Sequence, residues 1–180
     1  MWPLLLFALP SVFGLEVRPI CNATVDMGEP ECNKTASIRY HLDVETLTCL
    51  PFKFTGCGGN SNNFPSSSEC HFKCIPMDYL NCPANRPAVK RADGSSYCDD
   101  VVKCPEGSSC RRGFVVGLCC DNKDIEKMNA NYKPDCGRRK LVKDRSNDFP
   151  TVLIGKSCDH HFCPDGAECH RGPFFAYCCQ

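Results

Sequence analysis

Hydrophobic positions gather in a few short runs along the chain. The first, Trp2 to Leu9, is almost wholly apolar, and Met1 to Gly14 carries no charged side chain. A run this short reads as a secretory signal rather than a membrane span. Cleavage is expected near Gly14, where small Ser11 and Gly14 flank Val12-Phe13. Next, Ile38-Arg39-Tyr40-His41-Leu42 predicts a strand, Asp43-Val44-Glu45-Thr46 a turn, and Leu47 to Phe54 a returning strand. Pro51 within the second strand argues for an edge or a local break. Ser66 and Glu69 have capping-box spacing. Cys70 and Cys74 follow at i and i+4, which puts both sulfurs on one face of a short helix. Further along, Gly113 to Leu118 and Pro173 to Tyr177 are apolar strand candidates that end at adjacent cysteines. Each follows a Pro-acid-Gly turn signal, so a single β-hairpin is expected in each region.

The cysteines change this picture most. All eighteen fall into three consecutive sets of six: 21, 32, 49, 57, 70, 74; then 82, 98, 104, 110, 119, 120; then 136, 158, 163, 169, 178, 179. With none left over, they suit closed modules of three bridges each in an oxidising compartment. Modules of about 40–55 residues have marginal hydrophobic cores, so disulfides must carry much of the stability. Linking Cys21 to Cys74 would contribute about 4 kcal/mol by loop-closure entropy.

Charge removes some function classes. The formal net charge is zero, which points to neither nucleic acid nor an anionic membrane. Arg111-Arg112 and Arg138-Arg139-Lys140 are short clusters diluted by acids and read as solvated faces. They are also candidate sites of proteolytic nicking. No later segment is long enough to span a bilayer, and the chain stops at Gln180 with no tail for a lipid anchor. A secreted, extracellular, soluble protein is expected.

In the first set the cysteine intervals are 11, 17, 8, 13 and 4. The run Phe52-Lys53-Phe54-Thr55-Gly56-Cys57-Gly58-Gly59-Asn60-Ser61-Asn62-Asn63-Phe64, with Arg39-Tyr40, Cys70 and Cys74, resembles the Kunitz-type serine protease inhibitor signature over 21–74. The resemblance implies an α+β module, a twisted β-hairpin plus a short C-terminal helix, with bridges Cys21–Cys74, Cys32–Cys57 and Cys49–Cys70. Asn62 and Asn63 are expected as amides buried to satisfy backbone groups in a small core. The resemblance also implies substrate-like inhibition of a serine protease, with Glu31 to Ser37 entering the cleft and a P1 side chain filling the specificity pocket. Such strength rests on preorganisation, because a braced loop has little entropy left to lose.

The reactive loop departs from the pattern. The Cys32-to-Arg39 spacing carries one extra residue. Counting forward from Cys32 puts Asn33 at P1; counting backward from Arg39-Tyr40 puts Lys34 there, with Thr35 following. Lys34 would suit the acidic pocket of a trypsin-like enzyme. Asn33-Lys34-Thr35 and Asn22-Ala23-Thr24 are also N-glycosylation sequons, and a glycan on Asn33 would obstruct access to a protease cleft.

The other two sets form an internal repeat. Cys104-Pro105-Glu106-Gly107-Ser108-Ser109-Cys110-Arg111-Arg112-Gly113 aligns without gaps to Cys163-Pro164-Asp165-Gly166-Ala167-Glu168-Cys169-His170-Arg171-Gly172. The stretches from Cys82 to Cys98 and from Cys136 to Cys158 differ in length and read as tolerant loops. Connectivity in each set is one of 15. Cys-Pro-x-Gly-x-x-Cys with a closing Cys-Cys resembles the lustrin-type cysteine-rich repeat over 82–120 and 136–179. That likeness implies extracellular interaction, matrix contact or auxiliary inhibition.

The expected fold class is thus a small disulfide-rich multi-domain protein. A signal peptide at 1–14 precedes the Kunitz module at 21–74. Two β-hairpin repeats follow at 82–120 and 136–179, with linkers at 75–81 and 121–135. His160, His161 and His170 near Cys163 and Cys169 invite a zinc reading. In an oxidising compartment those cysteines are needed as disulfides, so the histidines are expected as exposed loop residues and no metal or cofactor is implied. No nucleophile–base arrangement stands out, and enzymatic activity is not expected. Two functions remain open: a secreted Kunitz-type serine endopeptidase inhibitor whose partner is trypsin-like if Lys34 is P1, or a non-inhibitory interaction or matrix protein with a degenerate reactive loop and an extracellular protein partner.

Overall fold

The computed structural model describes residues 17–77, 79–145 and 150–180. The expected signal peptide at 1–14 lies outside them. Strands β1 (Ser37–Asp43) and β2 (Thr48–Phe54) form an antiparallel hairpin, followed by helix α1 (Ser67–Cys74). Then come β3 (Tyr97–Cys98), β4 (Ser108–Arg112), β5 (Gly117–Asp121) and helix α2 (Asn122–Tyr132). The chain ends in β6 (Lys143–Asp144), β7 (Thr151–Val152), β8 (Ile154–Gly155), β9 (Glu168–Arg171) and β10 (Ala176–Cys179).

The hairpin turn is one residue later than predicted. Asp43 pairs with Thr48, and Leu47 takes a left-handed backbone with φ of 49° to close the turn. Pro51 breaks nothing. Its ladder partner Tyr40 exchanges both backbone bonds with Phe64 on the other side, at 2.9 and 2.8 Å. Tyr40 and Pro51 are therefore a non-hydrogen-bonded pair, and the missing N–H of proline faces away from β1. Helix α1 is capped by Ser66, whose hydroxyl accepts the Glu69 N–H at 3.1 Å.

All eighteen cysteines are paired. The first set forms Cys21–Cys74, Cys32–Cys57 and Cys49–Cys70. The second forms Cys82–Cys120, Cys98–Cys110 and Cys104–Cys119. The third forms Cys136–Cys179, Cys158–Cys169 and Cys163–Cys178. In order along each later set, first bonds to sixth, second to fourth and third to fifth. Adjacent cysteines thus reach different partners, and both later sets share one connectivity out of the 15 that counting allowed.

The later sets hold more than a hairpin. Each contains a three-stranded sheet, β3-β5-β4 and β8-β10-β9, in which a two-residue strand from the variable stretch lies on the far side of the closing strand, and the third set adds the short pair β6-β7. Two residues are too few to show a period in sequence. The apolar runs also sit differently from the prediction. Gly113 to Val116 and Gly172 to Phe175 are hairpin turns, each closed by an N–H to C=O bond of 2.8 Å, and the strands begin at Gly117 and Ala176. Residues 121–135, expected as a linker, carry α2. Asp121 caps it by accepting from the N–H groups of Lys123 and Asp124.

The two hairpin tips have different fates. Phe114 is 93 % exposed at the first tip, whereas Phe175 is buried at the second. The second tip is held by Asn131 of α2, whose Nδ2 donates to the Phe175 carbonyl at 2.9 Å and whose Oδ1 accepts the Phe174 N–H at 2.8 Å. Gly172 leaves the room, since a Cβ there would strike that amide nitrogen. Asn131→Ala is expected to cost about 2 kcal/mol, because it strips the Phe174 N–H of its partner and leaves the Phe175 carbonyl with the Gly172 N–H alone. Urea unfolding checks this; a loss under about 0.5 kcal/mol, the range of ordinary surface changes, would contradict it.

Phe175 also joins the third set to the first. It packs with Ile154 of β8 and Leu50 of β2. On the same face of the hairpin, His41 lies edge-on to His160, with ring centroids 5.7 Å apart. Lys156 donates to Asp43 at 2.9 Å and to Glu45 at 2.6 Å, and the Tyr40 hydroxyl donates to Asp144 at 2.9 Å. This explains why Tyr40, His41 and Leu42 are all buried instead of alternating. Tyr40 and Leu42 face a core with Phe64 and the disulfides, while His41 faces the third set. His160 is half-buried in that contact, contrary to the expected exposed loop histidine; His161 and His170 are exposed.

Candidate inhibitory loop

Residues 31–37 leave the core at Cys32 and re-enter regular structure at Ser37. Glu31, Asn33, Lys34, Thr35, Ala36 and Ser37 are exposed, while Cys32 is half-buried. The extra residue between Cys32 and Arg39 is therefore absorbed in the 33–36 coil, with a bend at Lys34, and the β1–β2 register is undisturbed.

Both ends of the loop are braced. Cys32 is bridged to Cys57, the Glu29 N–H donates to the Cys57 carbonyl at 3.0 Å, and the Cys32 N–H donates to the Glu29 carbonyl at 3.3 Å. At the far end, Arg39 Nε donates to Asn63 Oδ1 at 2.7 Å. Asn63 is half-buried in this role, whereas Asn62 is fully buried. Within the loop the Lys34 N–H points to Cys32 Sγ at 3.4 Å. Gly56 has φ of 102°, and a Cβ there would stand 2.8 Å from Lys34 Cβ. Only glycine combines that backbone with so close an approach of the loop. Sequence reasoning placed Gly56 in a motif but gave no sign of its contact with Lys34.

The structure thus brings Asn33, Lys34 and Thr35 together beside the Cys32–Cys57 bridge. Asn22, the other sequon asparagine, is exposed directly after a 3-10 turn at Pro19–Cys21, outside the loop. Cys98, Cys104 and Cys119 have sulfurs close enough to suggest a metal cluster. Each is consumed in a disulfide, which removes the thiolate a metal needs. No helix among the described residues is long and apolar enough to cross a membrane.

A family model for the Kunitz/bovine pancreatic trypsin inhibitor domain matches residues 20–75. The chain is 34 % identical over 160 residues to a BPTI/Kunitz inhibitor domain-containing protein of Caenorhabditis elegans, covering 89 % of each chain. It is 35 % identical over 183 residues to the major allergen Ani s 1 of Anisakis simplex, covering 98 % of this chain and 94 % of the relative. It is 33 % identical over 99 residues to the inter-alpha-trypsin inhibitor of Capra hircus, covering 55 % and 76 %. The first two likenesses extend well past residue 75 into the later cysteine sets. With the motif residues, the bridged hairpin-and-helix fold and near full-length relatives in agreement, the chain belongs to the Kunitz/bovine pancreatic trypsin inhibitor family, a family of protease inhibitors.

Proposed function

We propose that the protein is a secreted, non-enzymatic inhibitor of a trypsin-like serine protease, acting by substrate-like insertion of residues 31–37 with Lys34 at P1. The observation that carries this reading is the exposed Asn33-Lys34-Thr35 segment drawn against Gly56 beside the Cys32–Cys57 bridge. Bracing at both ends lowers the entropy lost on binding and keeps the cleaved or uncleaved loop in the cleft. Lys34 offers the ammonium that an acidic specificity pocket selects, and Thr35 follows across the scissile bond. The name of the inter-alpha-trypsin inhibitor agrees with a trypsin-like target.

In this reading Asn22 and Asn33 carry N-glycans, and the glycan on Asn33 regulates access to Lys34. Residues 1–14 are the signal peptide and 21–74 the inhibitory module. Residues 82–120 and 136–179 are two copies of a lustrin-type repeat, joined by segments 75–81 and 121–135. The shared connectivity and matching three-stranded sheets support that repeat assignment.

Stoichiometric titration of trypsin with glycosylated, enzymatically deglycosylated and Asn33→Gln protein tests the reading. Removing the glycan or its acceptor is expected to strengthen inhibition. Lys34→Ala in the Asn33→Gln background is expected to weaken it at least about tenfold, since a side chain filling a desolvated pocket is where such interfaces concentrate their energy. Equal, negligible inhibition by all forms, with rapid cleavage at Lys34–Thr35, would instead support a non-inhibitory interaction protein with a degenerate loop.

A further inference from the structure

A concave feature stands away from the inhibitory loop, where the first set, the second set and α2 meet. It is a groove of about 580 Å³, within the range of roughly 300–1,000 Å³ typical of small-molecule sites. One wall is the α2 stripe Ile125, Met128 and Tyr132, at i, i+3 and i+7 on one helix face. Ile125 and Met128 are only half-buried and Tyr132 is 44 % exposed, so this apolar stripe lacks full cover. Asn131 is spent on the third-set hairpin tip, which fixes the rotation of the helix and leaves that stripe turned to the groove.

Leu47 and Ala84 also line the groove. Both have left-handed backbones with φ of 49°, two of the four non-glycine residues with positive φ among the described residues. Such a conformation costs about 1–3 kcal/mol and clusters at ligand-binding places. The groove is also one-signed. Its lining contains no carboxylate, and Arg111 stands among it. Arg111 donates to the Asn81 carbonyl, which steadies its guanidinium, and it is paired with no carboxylate among the described residues. His71 also lines the groove; burial holds its imidazole below the usual pKa, so at neutral pH the fixed charge comes from Arg111.

We propose that this groove binds one molecule of an amphiphilic carboxylate of the fatty-acid type. Its chain lies along Ile125, Met128 and Leu47, and its head group is held by Arg111. A groove with an apolar stripe on its helix side, polar residues such as Thr46, Thr48 and Asn129 around it, and Arg111 as its one fixed cation matches that chemistry: the chain gains apolar burial along the stripe, and the guanidinium takes a carboxylate through two parallel N–H bonds. The site is independent of the protease reading, since none of its lining belongs to residues 31–37.

The test uses oxidised full-length protein and cis-parinaric acid, whose fluorescence rises in an apolar site. Saturable binding of one probe per chain is expected, displaced by laurate and at least about tenfold less well by the neutral isostere dodecanol, the discrimination a charge-assisted bond supplies. Arg111→Gln, an exposed change, is expected to weaken probe binding by a similar factor and to abolish the preference for laurate. Met128→Trp fills the trough and is expected to remove binding. Near-ultraviolet circular dichroism and the mass of the fully disulfide-bonded chain verify that each variant is folded. Absence of saturable binding, equal displacement by laurate and dodecanol, or unchanged binding by folded Arg111→Gln would overturn the proposal. So would a dimer by light scattering that Met128→Trp disrupts and laurate does not, because the groove would then hold a second copy's exposed Phe114 tip.

Discussion

Replacing Asn62 with alanine is expected to cost about 3–5 kcal/mol and to lower the unfolding midpoint of the hairpin-and-helix region by more than about 10 °C. Asn62 is fully buried and works as a backbone surrogate. Its Oδ1 accepts the Leu42 N–H at 2.8 Å. Its Nδ2 donates to the carbonyls of Cys21, Ala23 and Leu42 at 3.1, 2.7 and 2.9 Å. One side chain thus ties the segment entering the core to the middle of β1. Alanine would leave those groups buried without partners, and each such orphan costs about 1–3 kcal/mol. Asn62→Asp separates this account from one based on volume. Aspartate fills the same space and keeps the acceptor, but it sets a second oxygen against three carbonyls, so it is expected to do no better than alanine. A folded Asn62→Asp protein that melts with the wild type would refute the argument.

That residue shows what was legible in sequence and why. A motif of glycines, asparagines and aromatics at fixed distances pointed to the hairpin, the capped helix and a buried amide, because each answers a local backbone need. Features made by distant surfaces were harder to see. Tyr40-His41-Leu42 alternates apolar and polar as a half-buried strand does, and nothing local says that His160 and Phe175 cover its second face. Helix α2 did leave a signal: Asp121 as cap and apolar residues at 125, 128 and 132 have helical spacing. The even grouping of the cysteines competes with that signal, because it makes 121–135 look like a connection between sets. The two hairpin tips are alike in sequence role, and their burial diverges because α2, Ile154 and Leu50 lie against one of them. In the candidate loop, the ambiguity between Asn33 and Lys34 came from counting between two anchors with a residue to spare, and the spare residue lies in the 33–36 coil where no ladder records it.

Acidification should weaken the contact between the hairpin and the third set, with His41 as the largest single cause. Its ring is 3 % exposed, and neither ring nitrogen has a hydrogen-bond partner among the described residues. Burial, followed by the neighbouring His160, lowers its pKa from 6.5 to about 4, against an opposing pull from Asp43 and the Leu42 backbone and with a small push in the same direction from Lys156. His160 is also lowered, chiefly by burial. Because the folded pKa lies below the unfolded one, the unfolded chain binds the proton first. The contribution of neutral His41 is fully present above pH 6.5, falls away as pH drops toward 4, and is lost completely below that. A shift of this size corresponds to about 3 kcal/mol across the window. His41→Phe keeps the aromatic edge that His41 offers to Phe52 at 5.6 Å and removes the titrating group. Urea unfolding from pH 7 to pH 4 is therefore expected to show a steep loss in the wild type and a much shallower one in His41→Phe, the remainder coming from His160, from His71, whose pKa burial also lowers, and from the carboxylates. Parallel curves for the two proteins would mean that the buried imidazole of His41 does not set the acid sensitivity of this interface.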